Sequence, residues 1–128
     1  MNMQKPQNQC ACNAAPKFVF PCSGASDVGA LAAQSARQMT KDGTGKMYCL
    51  AGIGGRVESI LANVRGAAQV LAIDGCSQEC ARKTLELAGF SGFEHLKLQE
   101  LGFKKGETPP TPERIRAVAD RGAVMLQA

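Results

Sequence analysis

Three similar segments of hydrophobic and polar positions follow one another along the chain from Lys17 onward. Each begins with a short apolar run, continues through a turn of small residues, and ends in a stretch with helical periodicity. The apolar runs are 17–20, 46–50 and 69–73, and the helical stretches are 27–39, 57–64 and 81–88. Repeated strand–turn–helix units of this kind predict a parallel sheet with crossover helices.

The remaining residues predict one more strand and one more helix. A fourth strand is expected over 93–98, and a terminal helix near Pro112, which suits the first helical position after the capping residue Thr111. The long loop 99–110 between them is of a length often found in binding loops. The fold class that follows is α/β, a three-layer sandwich with a mostly parallel, Rossmann-like sheet of about four strands.

Composition divides the chain into a leader and one domain. Residues 1–16 are polar and without periodicity, which predicts a flexible N-terminal leader, and residues 17–128 are expected to form a single α/β metal-binding domain. No apolar stretch is long enough to cross a membrane and no export signal is present, so a cytoplasmic location is expected. The net charge of +4 is scattered, so neither nucleic acid nor membrane is an expected partner, and protein partners are left open.

The chain has six cysteines, and they bear most on its expected function. Cys22, Cys49 and Cys76 follow one another at intervals of 27 residues, the length of one strand–helix unit. This spacing places a cysteine near the carboxyl end of each of three successive strands, and right-handed crossovers bring those ends to one edge of the sheet. Cys80 lies four residues beyond Cys76. If the third helix begins at Ser77, the Cys80 thiol points back toward the same turn.

Three interpretations of these cysteines are open: metal ligation, thiol redox chemistry and inert packing. A reducing compartment argues against disulfides, and three cysteines in register are more than packing needs, so metal ligation is favoured. Cys22, Cys49 and Cys76 each precede a predicted helix, whose amino terminus is expected to lower the thiol pKa and favour the ligating thiolate. The small residues around them allow backbone N–H groups to approach sulfur.

Three motifs resemble the DGC-domain family, which is named after its Asp-Gly-Cys element. They are Pro-Cys-Ser-Gly at 21–24, Cys-Leu-Ala-Gly-Ile-Gly-Gly at 49–55, and Asp-Gly-Cys at 74–76 together with Cys80. The similarity covers residues 17–108. It implies a small bacterial protein that binds zinc through four cysteines, which correspond to Cys22, Cys49, Cys76 and Cys80. It implies no known reaction and does not extend to Cys10 and Cys12.

The other polar residues have simpler expected roles. Asp74 is expected to support the ligating turn, and His95, the one histidine, to be structural. Arg56 either balances thiolate charge or lies in solvent. Cys10 and Cys12 either add ligands, pass metal to a partner, or simply belong to the leader.

No catalytic constellation is evident. Phosphatase-type loops need an Arg six residues after the cysteine, whereas Val28 and Gly55 occupy those places. The Gly-rich turn 52–55 also lacks the Lys of a P-loop. The expected function is therefore a metal-binding module for zinc, with an iron–sulfur cluster as the less favoured cofactor. The alternative is a thiol-based redox enzyme with Cys76 and Cys80 as a pair.

Overall fold

The computed structural model describes residues 15–127, so most of the predicted leader lies outside the described residues. Within this range the strands are β1 Lys17–Pro21, β2 Lys46–Met47, β3 Gln69–Asp74 and β4 Glu94–Lys97. The helices are α1 Asp27–Asp42, α2 Leu50–Gly54, α3 Glu58–Arg65, α4 Cys80–Leu87 and α5 Pro112–Met125, and a 3₁₀ helix spans Leu98–Leu101.

The four strands form one parallel sheet in the order β2-β1-β3-β4. Phe18 of β1 pairs with Lys46 on one side and with Val70 on the other, and Ala72 of β3 pairs with His95. The chain adds β2 on one side of β1 and then crosses to add β3 on the other side. The strand order therefore reverses between β1 and β3, which is where open α/β sheets bind ligands.

Helices cover both faces of the sheet, and alternate strand residues point into two separate cores. On one face Val19 and Leu71 pack against α1 and α5. On the other face Phe20 and Ala72 pack against α2, α3 and α4. Because β1 and β3 are buried on both sides, their sequences are almost continuously apolar. The predicted three-layer α/β fold is confirmed.

Two of the expected boundaries differ in the structure. The second apolar run forms a strand only at Lys46–Met47, because the Cys49 sulfur accepts a hydrogen bond from the Gly52 N–H at 3.3 Å and starts α2 at once. Helix α4 begins at Cys80 and not at Ser77, the start on which the expected direction of the Cys80 thiol depended, because residues 76–79 form a turn in which Glu79 is left-handed (φ 53°).

The predicted start of the last helix is confirmed. The Thr111 hydroxyl accepts a hydrogen bond from the Arg114 N–H at 3.3 Å, and Pro112 opens α5. Ser26 caps α1 in the same way through the Gly29 N–H at 3.1 Å. Among residues 15–127, no helix combines the length and apolar character that a membrane span requires.

Candidate functional site

Cys22 lies where the strand order reverses. It directly follows β1, and its N–H donates to the Ile73 carbonyl at 2.9 Å, which extends the pairing of β1 with β3. Its sulfur accepts a hydrogen bond from the Gly75 N–H at 3.4 Å. Ser23 then turns the chain away from the sheet in a left-handed conformation (φ 50°). Cys22 is therefore held, half-buried, between the two central strands.

Cys76 reaches the same place because the preceding residue is glycine. A Cβ atom at Gly75 would lie 2.8 Å from atoms of Val28 in α1, so a larger residue would push the turn and the helix apart. This close approach leaves Cys76 half-buried and packed against the core beneath α1.

The other two predicted site cysteines begin helices and are exposed. Cys80 is the first residue of α4, and its carbonyl accepts a hydrogen bond from the Thr84 hydroxyl at 2.7 Å. Cys49 is the residue before α2, and its sulfur is the cap described above. Their thiols are therefore less constrained by packing than those of Cys22 and Cys76.

Three of these four cysteines line one cleft of about 450 Å³ at the carboxyl edge of the sheet. We call it the cysteine cleft, and it is lined by Cys22, Gly24, Ala25, Ser26, Asp74, Cys76, Gln78, Glu79, Cys80 and Lys105. The fourth cysteine, Cys49, lines a neighbouring cleft together with Cys22. Cys22 thus belongs to both clefts.

The electrostatics of Cys22 differ from the expectation. Burial raises the pKa of its thiol, and the charges of Asp74 and Cys76 raise this pKa further. The N–H groups of Gly75 and Gly24 act in the opposite direction without reversing the shift. The prediction that a helix terminus lowers this pKa is therefore wrong for Cys22. Helix α1 begins only at Asp27, five residues beyond Cys22, and the largest effect on the Cys22 thiol is its desolvation.

Asp74 ties together the base of the cysteine cleft. Its side chain is only 1% exposed, and its two oxygens accept hydrogen bonds from the N–H groups of Ala81 at 2.8 Å and Arg82 at 3.1 Å. His95 Nε2 lies 2.8 Å from the second oxygen, and because a carboxylate only accepts, this nitrogen carries the proton. The carboxylate therefore joins β3, the amino end of α4 and β4.

The loop after the 3₁₀ helix forms one wall of the cysteine cleft through Lys105. The Asp27 carboxylate accepts hydrogen bonds from the N–H of Gly106 at 2.9 Å and of Thr108 at 2.8 Å. Thr108 is buried, and its hydroxyl accepts from the Lys104 N–H and donates to the Lys104 carbonyl. The start of α1 thus holds the loop against the cleft.

Sequence reasoning missed three features of this site: the His95–Asp74 pair, the Asp27 anchor and Lys105. One signal could have revealed the pair. If Ala72 is placed opposite His95, Asp74 lies two residues further along the same face of β3, within reach of the histidine. The other two depend on where a long loop folds back, which no local pattern records.

The donor chemistry of the site fits zinc, since thiolates are ligands that zinc prefers. The half-buried Cys22 and Cys76, with Cys80 in the same cleft, offer such donors. Within the described part of the chain, however, no group of three or more His, Cys, Asp and Glu side chains has an arrangement that could hold a metal ion. A complete shell of four thiolates would therefore require side chains to move.

The fold and the cleft define a small α/β protein whose distinctive chemistry is a set of thiols at the carboxyl edge of a parallel sheet. The chain belongs to the DGC-domain family, whose model matches residues 18–121. One relative is the anaerobic and virulence modulator AnvM of Pseudomonas aeruginosa strain PAO1. It is 36% identical over 88 residues, which cover 69% of this chain and 67% of the relative. No solved structure matches the chain.

Proposed function

We propose that this protein binds one zinc ion through Cys22, Cys49, Cys76 and Cys80. The observation that carries the proposal is the cysteine cleft, in which residues from two strand ends and one helix start bring three thiols to the point where the strand order reverses. Ligands of open α/β sheets bind at this point. The fourth thiol, Cys49, shares a neighbouring cleft with Cys22.

Binding would combine two constrained and two adaptable ligands. Cys22 and Cys76 are half-buried and packed against the core, whereas Cys49 and Cys80 are exposed. A tetrahedral zinc–thiolate site has Zn–S distances of about 2.3 Å, so the exposed thiols would rotate inward. For Cys49 this rotation breaks the hydrogen bond from the Gly52 N–H. Binding would therefore loosen the start of α2.

A zinc ion held by four thiolates has no open position for water or substrate, which favours a sensing, storage, delivery or structural role over catalysis. The relative AnvM is named as a modulator, and this name also favours a regulatory role.

The test is the zinc content of tag-free protein purified anaerobically, measured by elemental analysis and native mass spectrometry. We expect about one zinc per chain. Serine at Cys22, Cys49, Cys76 or Cys80 should remove it, while circular dichroism confirms that each variant is folded. Serine at both Cys10 and Cys12 is the matched control and should leave the zinc in place.

A folded, metal-free wild-type protein would contradict the proposal. If it also showed one fast-alkylating cysteine and a Cys76–Cys80 disulfide, the alternative of a thiol redox enzyme would replace it. Cys22 is a poor candidate for that fast-reacting thiol, because burial raises its pKa. Iron and a brown colour in place of zinc would indicate an iron–sulfur cluster.

A further inference from the structure

We infer that the ammonium group of Lys105 stabilises negative charge in the cysteine cleft. We also infer that Asp27 is the positioning residue that keeps Lys105 at the cleft. As far as it concerns zinc, this inference rests on the proposed function, because it assigns a counter-charge to the same thiols. A measurement on the metal-free protein tests it separately.

Lys105 is the one basic side chain among the described residues that line the cleft. The two acidic residues that line it already have partners. Glu79 forms an ion pair with Arg82 at 2.6 Å, and the Asp74 carboxylate accepts hydrogen bonds from His95 and from two backbone N–H groups. Among the ion pairs within residues 15–127, Lys105 takes part in none. Its charge is therefore available to a ligand of the cleft.

The turn that carries Lys105 is held in a defined conformation beside the cleft. The Glu107 N–H donates to the Lys104 carbonyl at 3.1 Å, which closes a tight turn around Lys105. Gly106 has a φ of +91°, a conformation that glycine adopts without strain. The carboxylate of Asp27 holds this turn by its backbone, through the N–H groups of Gly106 and Thr108.

The chemistry explains why a cation is useful here. Zinc with four thiolates carries a net charge of about −2, and a nearby ammonium group stabilises it in proportion to the inverse of their distance. The same ammonium group would attract any other anionic ligand to the thiols. The cleft therefore favours a net negative charge, whether that of a zinc ion together with the protein's own four thiolates or that of a small anion beside the thiols.

The first experiment measures zinc affinity by competition with a chromophoric chelator. Lys105→Gln should weaken binding roughly three- to tenfold at low salt, and Lys105→Glu should weaken it further. Lys105→Arg should restore the wild-type affinity. Lys104→Gln is the matched control, because Lys104 belongs to the same turn but does not line the cleft. The loss should largely vanish at about 1 M salt, where charges are screened over a few ångströms.

A double-mutant cycle tests the anchor. Asp27→Ala should weaken zinc binding about as much as Lys105→Gln, because it releases the turn that keeps the Lys105 charge at the cleft. The double variant should lose little more than either single variant, since both changes act through the same charge. Additive losses, or a loss in Lys104→Gln equal to that in Lys105→Gln, would overturn the inference.

The second experiment uses the metal-free protein and compares alkylation of its cysteines by iodoacetate, an anion, and iodoacetamide, which is neutral. The ratio of the two rates cancels the thiolate fraction and reports the local charge. For Cys76 and Cys80 the ratio should fall roughly threefold in Lys105→Gln and stay unchanged in Lys104→Gln. If wild-type protein binds no zinc but this ratio responds, the proposed function fails and the inference stands. An unresponsive ratio overturns the inference.

Discussion

The carboxylate of Asp74 holds three parts of the chain at once. It lies at the end of β3, accepts from two N–H groups at the start of α4, and meets His95 on β4. A buried charge is costly unless it is fully hydrogen-bonded, and here every partner is a donor. Because Asp74 precedes Gly75 and Cys76, the residue that fixes α4 also sets the position of the cleft cysteines.

Replacing Asp74 with Ala should lower the free energy of unfolding by about 2–4 kcal/mol, since it leaves the N–H groups of Ala81 and Arg82 without their acceptor and His95 without its partner. Urea unfolding followed by circular dichroism measures this loss. Asp120→Ala is the control, because Asp120 is exposed and its pair with Arg116 is long at 3.5 Å, so its cost should stay below about 1 kcal/mol. Equal losses in the two variants would contradict the role given to Asp74.

Strands and helices were predictable from sequence where burial or a local capping signal decides them. The runs that form β1 and β3 are apolar on both faces, and the sequence located each to within one residue. The start of α5 was equally clear, because Thr111 and Pro112 are local signals. The end of β2 and the start of α4 were not, because they depend on a sulfur acceptor at Cys49 and on the carboxylate of Asp74, which acts on α4 from a neighbouring strand.

For the site, the positions of the three equally spaced cysteines were predictable from sequence, and the rest was not. Equal spacing of Cys22, Cys49 and Cys76 is enough to place them at one edge of a parallel sheet, and the structure puts them there. The spacing cannot say which thiols share a cleft, since that depends on where each turn packs. It also cannot reveal Lys105, whose position requires a contact between residues about 80 apart in sequence.

The packing of α1 against the end of β3 depends on one glycine. Gly75→Ala places a methyl group 2.8 Å from Val28, and the overpacking should cost about 1–3 kcal/mol in the free energy of unfolding. Gly24→Ala is the matched control, because Gly24 lines the cysteine cleft and nothing lies within 4 Å of a Cβ at that position. It should change stability by less than about 1 kcal/mol. Thermal unfolding of both variants checks this, and a Gly24→Ala loss as large as that of Gly75→Ala would refute it.

Two parts of the carboxyl-terminal half of the chain contact α1. Helix α5 packs beside α1 over the same face of the sheet, and the turn 104–108 reaches the first residue of α1. Besides the adjacent Val28 N–H, Asp27 accepts from N–H groups 79 and 81 residues away, and these two long-range hydrogen bonds exist only when distant parts of the chain are folded together. The state of this one carboxyl group therefore couples the cleft wall to global stability.

That coupling predicts a pH dependence with a definite sign. The N–H groups of Gly106 and Thr108 hold the pKa of Asp27 below its usual value. A carboxyl group whose pKa is lowered by folding adds stability that is fully present above its unfolded pKa, about 3.9, and is lost as pH falls through the folded value. The difference in unfolding free energy between wild type and Asp27→Asn should therefore be constant above about pH 5 and shrink steadily below about pH 4.

Urea unfolding of both proteins between about pH 2.5 and pH 7 measures this difference, and amide hydrogen exchange locates it. In the wild type, protection of the Gly106 and Thr108 amides should fall at acidic pH, after correction for the intrinsic exchange rate. Amides in β1 and β3 should keep their protection over the range where the domain remains folded. A difference that grows as the pH falls would mean that the carboxylate does not stabilise the turn. Loss of protection at Gly106 and Thr108 without a change in stability would mean that the wall opens independently of the domain.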